Sequence, residues 1–77
     1  MFEIFVLVQT KVGKAFQVTE QIRTIPGIKS TYTVTGPYDI IASMEIESIE
    51  SLEDIIKRIH AIDGVERTLT AMVIKKY

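Results

Sequence analysis

Few residues of this chain combine a reactive type with a useful spacing. His60 is the only histidine, and there is no cysteine. Without a thiolate, a second histidine or a carboxylate at ligand spacing, His60 lacks the company that a metal site needs. Near a helix C-terminus, a histidine instead stabilises the helix end electrostatically. Glu45 and Glu47 stand on one face of an expected strand. Paired carboxylates can share general acid and base work, but here they read first as a solvated or interface pair. The four glycines are scattered one per turn, so no glycine-rich loop is offered to a phosphate. No Ser, His and Asp set has the layout of a nucleophilic triad. The one dense group is Thr35-Gly36-Pro37-Tyr38-Asp39, almost at the midpoint of the chain. Glycine admits a backbone angle that other residues resist, proline presets another, and aspartate bonds local backbone.

The bulk composition narrows what such a turn can serve. The 77 residues are expected to form one domain, 1–77. A chain of this size buries only about 60% of its unfolded surface and is marginal alone. No disulfide or thiolate metal site is available to staple it, yet 47% of its residues are hydrophobic. Apolar surface left over after folding points to oligomerisation. Nine Lys and Arg against ten Asp and Glu give a net charge of −1, which is not the basic footprint of a nucleic-acid binder. Lys75 and Lys76 read as a solvated tail. No stretch reaches the ~18 apolar residues of a membrane span. Met1-Phe2-Glu3-Ile4 enters strand-like alternation at once and is not a signal peptide. The expectation is a soluble, cytoplasmic protein without cofactor or metal.

The elements that must position the turn follow from periodicity. Phe2 to Thr10 is a strand, apolar on both faces, with Phe2, Ile4, Val6 and Val8 on one and Phe5 and Leu7 on the other. Lys14 to Thr24 is a helix with Ala15, Val18, Ile22 and Ile25 in a stripe. Phe16 lies off that stripe, either at the edge of the core or at a subunit contact. Pro26-Gly27 ends the helix. Ile28 to Thr35 is a strand with Ile28, Tyr32 and Val34 on one face. Ile40 to Glu47 is the third strand. Ser48 to Ala61 is the second helix, with Leu52, Ile55, Ile56, Ile59 and Ile62 as its stripe. Ser48 or Ser51 is its N-cap, and acidic residues precede Lys57 and Arg58 along it. Val65 to Ile74 is the last strand.

The two halves also match each other. Ile22, Ile25, Gly27, Ile28, Thr31 and Thr33 align at one constant offset with Ile59, Ile62, Gly64, Val65, Thr68 and Thr70. Two such βαβ units predict an α+β, ferredoxin-like βαββαβ sandwich: a four-stranded antiparallel sheet with both helices on one face. The uncovered apolar face predicts a second copy packed across a two-fold axis. The fold alone does not fix a function. An RNA-binding version needs aromatics among basic residues in the middle strands, and a metallochaperone needs a cysteine pair; both are absent. An acylphosphatase-like version needs a basic loop after the first strand, where only Lys11 is found.

Val34-Thr35-Gly36-Pro37-Tyr38-Asp39-Ile40-Ile41 resembles the Gly-x-Tyr-Asp turn of the effector-binding (RAM) domain of the Lrp/AsnC, or feast/famine, transcription regulators. Ile25-Pro26-Gly27-Ile28 and Ile62-Asp63-Gly64-Val65-Glu66-Arg67-Thr68-Leu69-Thr70 are similar to its two helix-to-strand connections. The chain starts at the first strand, with no basic recognition helix, so it resembles a stand-alone form of the domain. The resemblance implies a homodimer through the sheets that assembles into octamers or decamers. It implies an amino acid or related small metabolite bound between dimers near the turn. Ligand contacts are then expected from Gly36, Pro37, Tyr38 and Asp39, with hydroxyls from Thr68 and Thr70. Turn amides can take a carboxylate, and Asp39 can accept from an ammonium group or simply bond its own turn. Tyr38 walls the site or packs against another subunit.

The function expected is non-enzymatic sensing and oligomerisation, acting by mixing with or competing against full-length regulators. No direct nucleic-acid or membrane contact is expected. The alternatives are a structural interaction module without a ligand, and a small dimeric ferredoxin-like enzyme of the isomerase or monooxygenase type.

Overall fold

The computed structural model describes residues 1–77. They run β1 (Phe2–Thr10), α1 (Ala15–Ile22), β2 (Ile28–Thr33), β3 (Ile40–Ile46), α2 (Ile49–His60) and β4 (Val65–Met72). The strands form an antiparallel sheet in the order β2-β3-β1-β4, so the two most apolar strands lie at its centre. Both helices cover one face, which is the α+β, ferredoxin-like sandwich that the sequence predicts.

Alternation decides which side chains meet the helices. Ile4, Val6 and Val8 of β1 and Ile40, Ala42 and Met44 of β3 are fully buried. Val18 and Ile22 of α1 and Ile55 and Ile59 of α2 close over them. Burying one such aliphatic side chain contributes about 1.5–3 kcal/mol. Leu52, Ile56 and Ile62 pack against this core from its margins. Ser48 caps the start of α2, and its hydroxyl accepts from the Ser51 amide at 3.3 Å. Glu50 lies in its first turn and Lys57, Arg58 and His60 in its last, as the helix dipole favours. α1 is shorter than expected and has no side-chain cap at Lys14. Phe16 on α1 is 77% exposed, so it is not an edge-of-core residue.

β2 departs from simple alternation. Its register shifts between Ile28 and Ser30, where an extra residue enters the strand. One inserted residue turns every later side chain to the other face. Ile28 therefore packs on the core, while Tyr32 pairs with Ile41 on the uncovered face. The two do not share a face, contrary to the sequence expectation. The uncovered face then carries an apolar row that crosses all four strands: Tyr32, Ile41, Leu7 and Leu69, each paired with the next. Single exposed hydrophobics are ordinary on a protein surface; a contiguous row is not.

Candidate functional site

The central loop joins β2 to β3, and backbone bonds fix its base. The Val34 amide donates to the Asp39 carbonyl at 2.7 Å, and the Asp39 amide donates to the Val8 carbonyl at 2.9 Å. The ladder therefore continues past the ends of β2 and β3. Thr35, Gly36 and Pro37 project into solvent beyond it, and Tyr38 and Asp39 are half-buried. Gly36 has φ +133°, a conformation that a side chain resists. A Cβ there would meet nothing within 4 Å, so backbone freedom rather than space requires the glycine.

Asp39 does not turn its carboxylate on its own loop. Oδ2 accepts from the Thr10 amide at 2.8 Å and from the Thr10 hydroxyl at 3.3 Å. On the other flank, the Thr33 hydroxyl meets the Thr19 hydroxyl of α1 at 2.8 Å. Thr10, Thr19 and Thr33 thus support the loop; the internal repeat marks Thr33, and no local pattern in the sequence marks Thr10 or Thr19.

Thr68 and Thr70 lie elsewhere within the chain. They pair with Val8 and Val6 on the helix side of β4, an edge strand. β1 stands between β4 and β3, which puts about 10 Å between Thr68 and the start of β3. The Thr68 hydroxyl lies 2.9 Å from His60 Nε2, so the single histidine meets a hydroxyl at the end of α2. Thr70 is exposed. One chain thus gathers Gly36, Pro37, Tyr38 and Asp39, and holds the two threonines apart from them.

The main concavity lies at the opposite end of the sheet. It is an open hollow of about 510 Å³ between Ile46 and Ile55, rimmed by Glu45, Glu47, Ser51 and Asp54. Glu45 is bridged to Lys29 at 2.8 Å, and Asp54 to Arg58 at 3.1 Å. The hydrogen bond from Lys29, and then its charge, hold the Glu45 carboxyl below the usual glutamate range. The same hydrogen bond, and then the Glu45 charge, raise the Lys29 ammonium. β3 ends at Ile46, so Glu47 lies past the strand that the two acids were expected to share. No cluster of three or more His, Cys, Asp or Glu side chains is placed to hold a metal ion. No helix is long and apolar enough to cross a membrane.

A four-stranded antiparallel sheet covered on one face by two helices, with a pinned central loop and an open apolar face, defines an α+β, ferredoxin-like domain. The model of the family described as "Lrp/AsnC ligand binding domain" matches residues 3–77, and the chain belongs to that family. A segment of the homocitrate synthase of Sulfurisphaera tokodaii is 41% identical over 59 residues, which is 77% of this chain and 13% of the enzyme. The HTH-type transcriptional regulator FL11 of Pyrococcus horikoshii is 34% identical over 73 residues, covering 95% of this chain and 48% of the regulator. The chain thus spans about half of that regulator and a small part of the synthase. The crystal structure of TTHA0845 from Thermus thermophilus superposes with a TM-score of 0.93 at 33% identity, covering 100% of this chain and 98% of that one. The chain is a non-catalytic domain of the Lrp/AsnC ligand-binding and oligomerisation type.

Proposed function

We propose that residues 1–77 act as one unit that senses an amino acid or a related small metabolite. The loop Gly36-Pro37-Tyr38-Asp39 is its binding surface. The observation that carries this reading is the loop itself: its base is fixed by one backbone bond across it and one to β1, while Gly36 and Pro37 stand free at the end of the sheet. Exposed loops on a rigid scaffold are where binding residues concentrate. Thr68 and Thr70, held apart from the loop of their own chain, are assigned to the loop of a neighbouring subunit. The apolar row on the uncovered face pairs two copies, and the dimers assemble into octamers or decamers. The unit works in the cytoplasm on full-length Lrp/AsnC regulators and touches neither DNA nor membrane directly.

Thermal denaturation with each proteinogenic amino acid at millimolar concentration tests the reading. A ligand that binds only the folded state raises Tm. Absence of any shift across the set overturns it. A second reading follows from the synthase segment that is 41% identical: the domain regulates an enzyme rather than a regulator. Mixed oligomers with an Lrp/AsnC regulator in native mass spectrometry favour the first reading. A changed kcat of a homocitrate synthase on adding the protein favours the second.

A further inference from the structure

Each flank of the central loop is tied by side chains to the β1–α1 unit. On the β2 flank, Thr19 donates its hydroxyl proton to the Ala15 carbonyl at 2.8 Å. A hydroxyl has one proton, so Thr33 is the donor in the Thr33–Thr19 contact. On the β3 flank, Asp39 Oδ2 takes both the amide and the hydroxyl of Thr10. Thr10 is buried, so its amide has no water to fall back on. Asp39 Oδ1 takes no hydrogen bond and is open to solvent.

The internal repeat places the helix-to-strand tie at different positions in its two halves. Thr70 is the counterpart of Thr33 in the second half, but the residue matching Thr19 there is Ile56. The second half ties its helix to its last strand through His60 and Thr68 instead. Only the first-half tie, at Thr33, stands on a flank of the loop.

We propose that Asp39 and Thr19 are positioning residues. They fix the two flanks so that the Gly36–Tyr38 backbone meets a ligand in one conformation, which lowers the ordering cost of binding. The Asp39 carboxylate acts through Thr10 and is not the ligand's principal counter-ion. This rests on the reading of the loop as the binding surface.

Four variants separate the roles. Asp39→Asn keeps an acceptor for the Thr10 amide and removes the charge, whereas Asp39→Ala removes both. Thr19→Val removes the acceptor of the Thr33 hydroxyl with little change of shape, and Thr19→Ser restores it. Amide hydrogen exchange, read without any ligand, is expected to be roughly tenfold faster at Thr10 in Asp39→Ala. It is expected near wild type at Thr10 in Asp39→Asn. The Val34 amide is expected to exchange faster in Thr19→Val and to recover in Thr19→Ser. The core amides of Val6 and Ala42 stay as they are. Unchanged Thr10 protection in Asp39→Ala, or acceleration spread equally over the core, overturns the ties. If Asp39→Ala does not fold, the Asn, Val and Ser variants still decide.

Thermal shifts with the proteinogenic amino acids decide the role in binding. Asp39→Asn is expected to recover most of a shift lost in Asp39→Ala, and Thr19→Val to diminish it. A shift abolished by Asp39→Asn while Thr10 stays protected makes the carboxylate the counter-ion and overturns the assignment. If the wild type shows no shift, the binding reading falls, and the exchange measurements alone decide the ties.

Discussion

Gly64 lies directly against Lys14: a Cβ on the glycine would stand 3.1 Å from the lysine Cβ and 3.2 Å from Val18 Cγ2. Here the α2–β4 connection passes beneath the first turn of α1, and the Lys11 amide donates to the Gly64 carbonyl at 2.8 Å. Gly64 also has φ +102°. Gly64→Ala therefore meets both backbone strain, about 1–3 kcal/mol, and overlap with a packed helix. For a domain of this size, each kcal/mol lowers Tm by about 4–8 °C. Gly36→Ala meets strain alone. Thermal denaturation should rank Gly64→Ala well below Gly36→Ala; equal losses would mean that the α1 contact yields without cost.

The core and the exposed face of α1 should answer oppositely to truncation. Ile59 is fully buried, and Ile59→Ala should cost about 2–5 kcal/mol in urea denaturation. Phe16 is largely exposed, and Phe16→Ala should change stability by less than about 0.5 kcal/mol. A large loss at Phe16 would place that ring in contact with another chain.

Those two residues also show what the sequence could and could not reveal. Ile59 sits on a period that repeats along α2, so its burial is legible from its neighbours. The order of elements, the central place of β1 and β3 and the open apolar face follow from the same local signal. The face that Tyr32 takes is not legible, because a single inserted residue near Lys29 reverses the strand, and Ile28-Lys29-Ser30 carries no mark of it. The loop is legible as a turn from Gly36 and Pro37. Its fastening is not, because Asp39 and Thr10 are far apart in sequence and either residue has an ordinary local use. The separation of Thr68 from the loop is likewise a matter of strand order rather than of composition.

The Lys29–Glu45 bridge gives stability a predictable pH dependence. The folded Glu45 carboxyl titrates below its usual range because Lys29 bonds it. Its contribution is present above the ordinary glutamate pKa and is lost as pH falls through the depressed value. Lys29 titrates above its usual range, so its contribution is present below the ordinary lysine pKa and is lost as pH rises through the raised value. The bridge therefore acts in the window between the two ordinary values. Both groups face solvent, so the effect should be small and should fade in high salt. Lys29→Met should flatten the acid limb of Tm against pH at low ionic strength and leave it unchanged at high ionic strength.

The last prediction concerns the row Tyr32–Ile41–Leu7–Leu69. Two sheets packed face to face stand about 10 Å apart, and a row that spans a sheet from edge to edge is excluded from water when they meet. Leu69 is the place to test this, because it lies on an edge strand and is 52% exposed in the single chain. A carboxylate there leaves the monomer core untouched, yet in the dimer it would be buried without a partner, which is strongly unfavourable. Leu69→Glu should sediment as a monomer at micromolar concentration with an unchanged far-ultraviolet circular dichroism spectrum. Phe16→Glu places the same charge on an exposed ring of the helix side and should leave the dimer intact. A Leu69→Glu protein that stays dimeric removes the sheet face as the interface. Dissociation by Phe16→Glu alone moves the interface to α1.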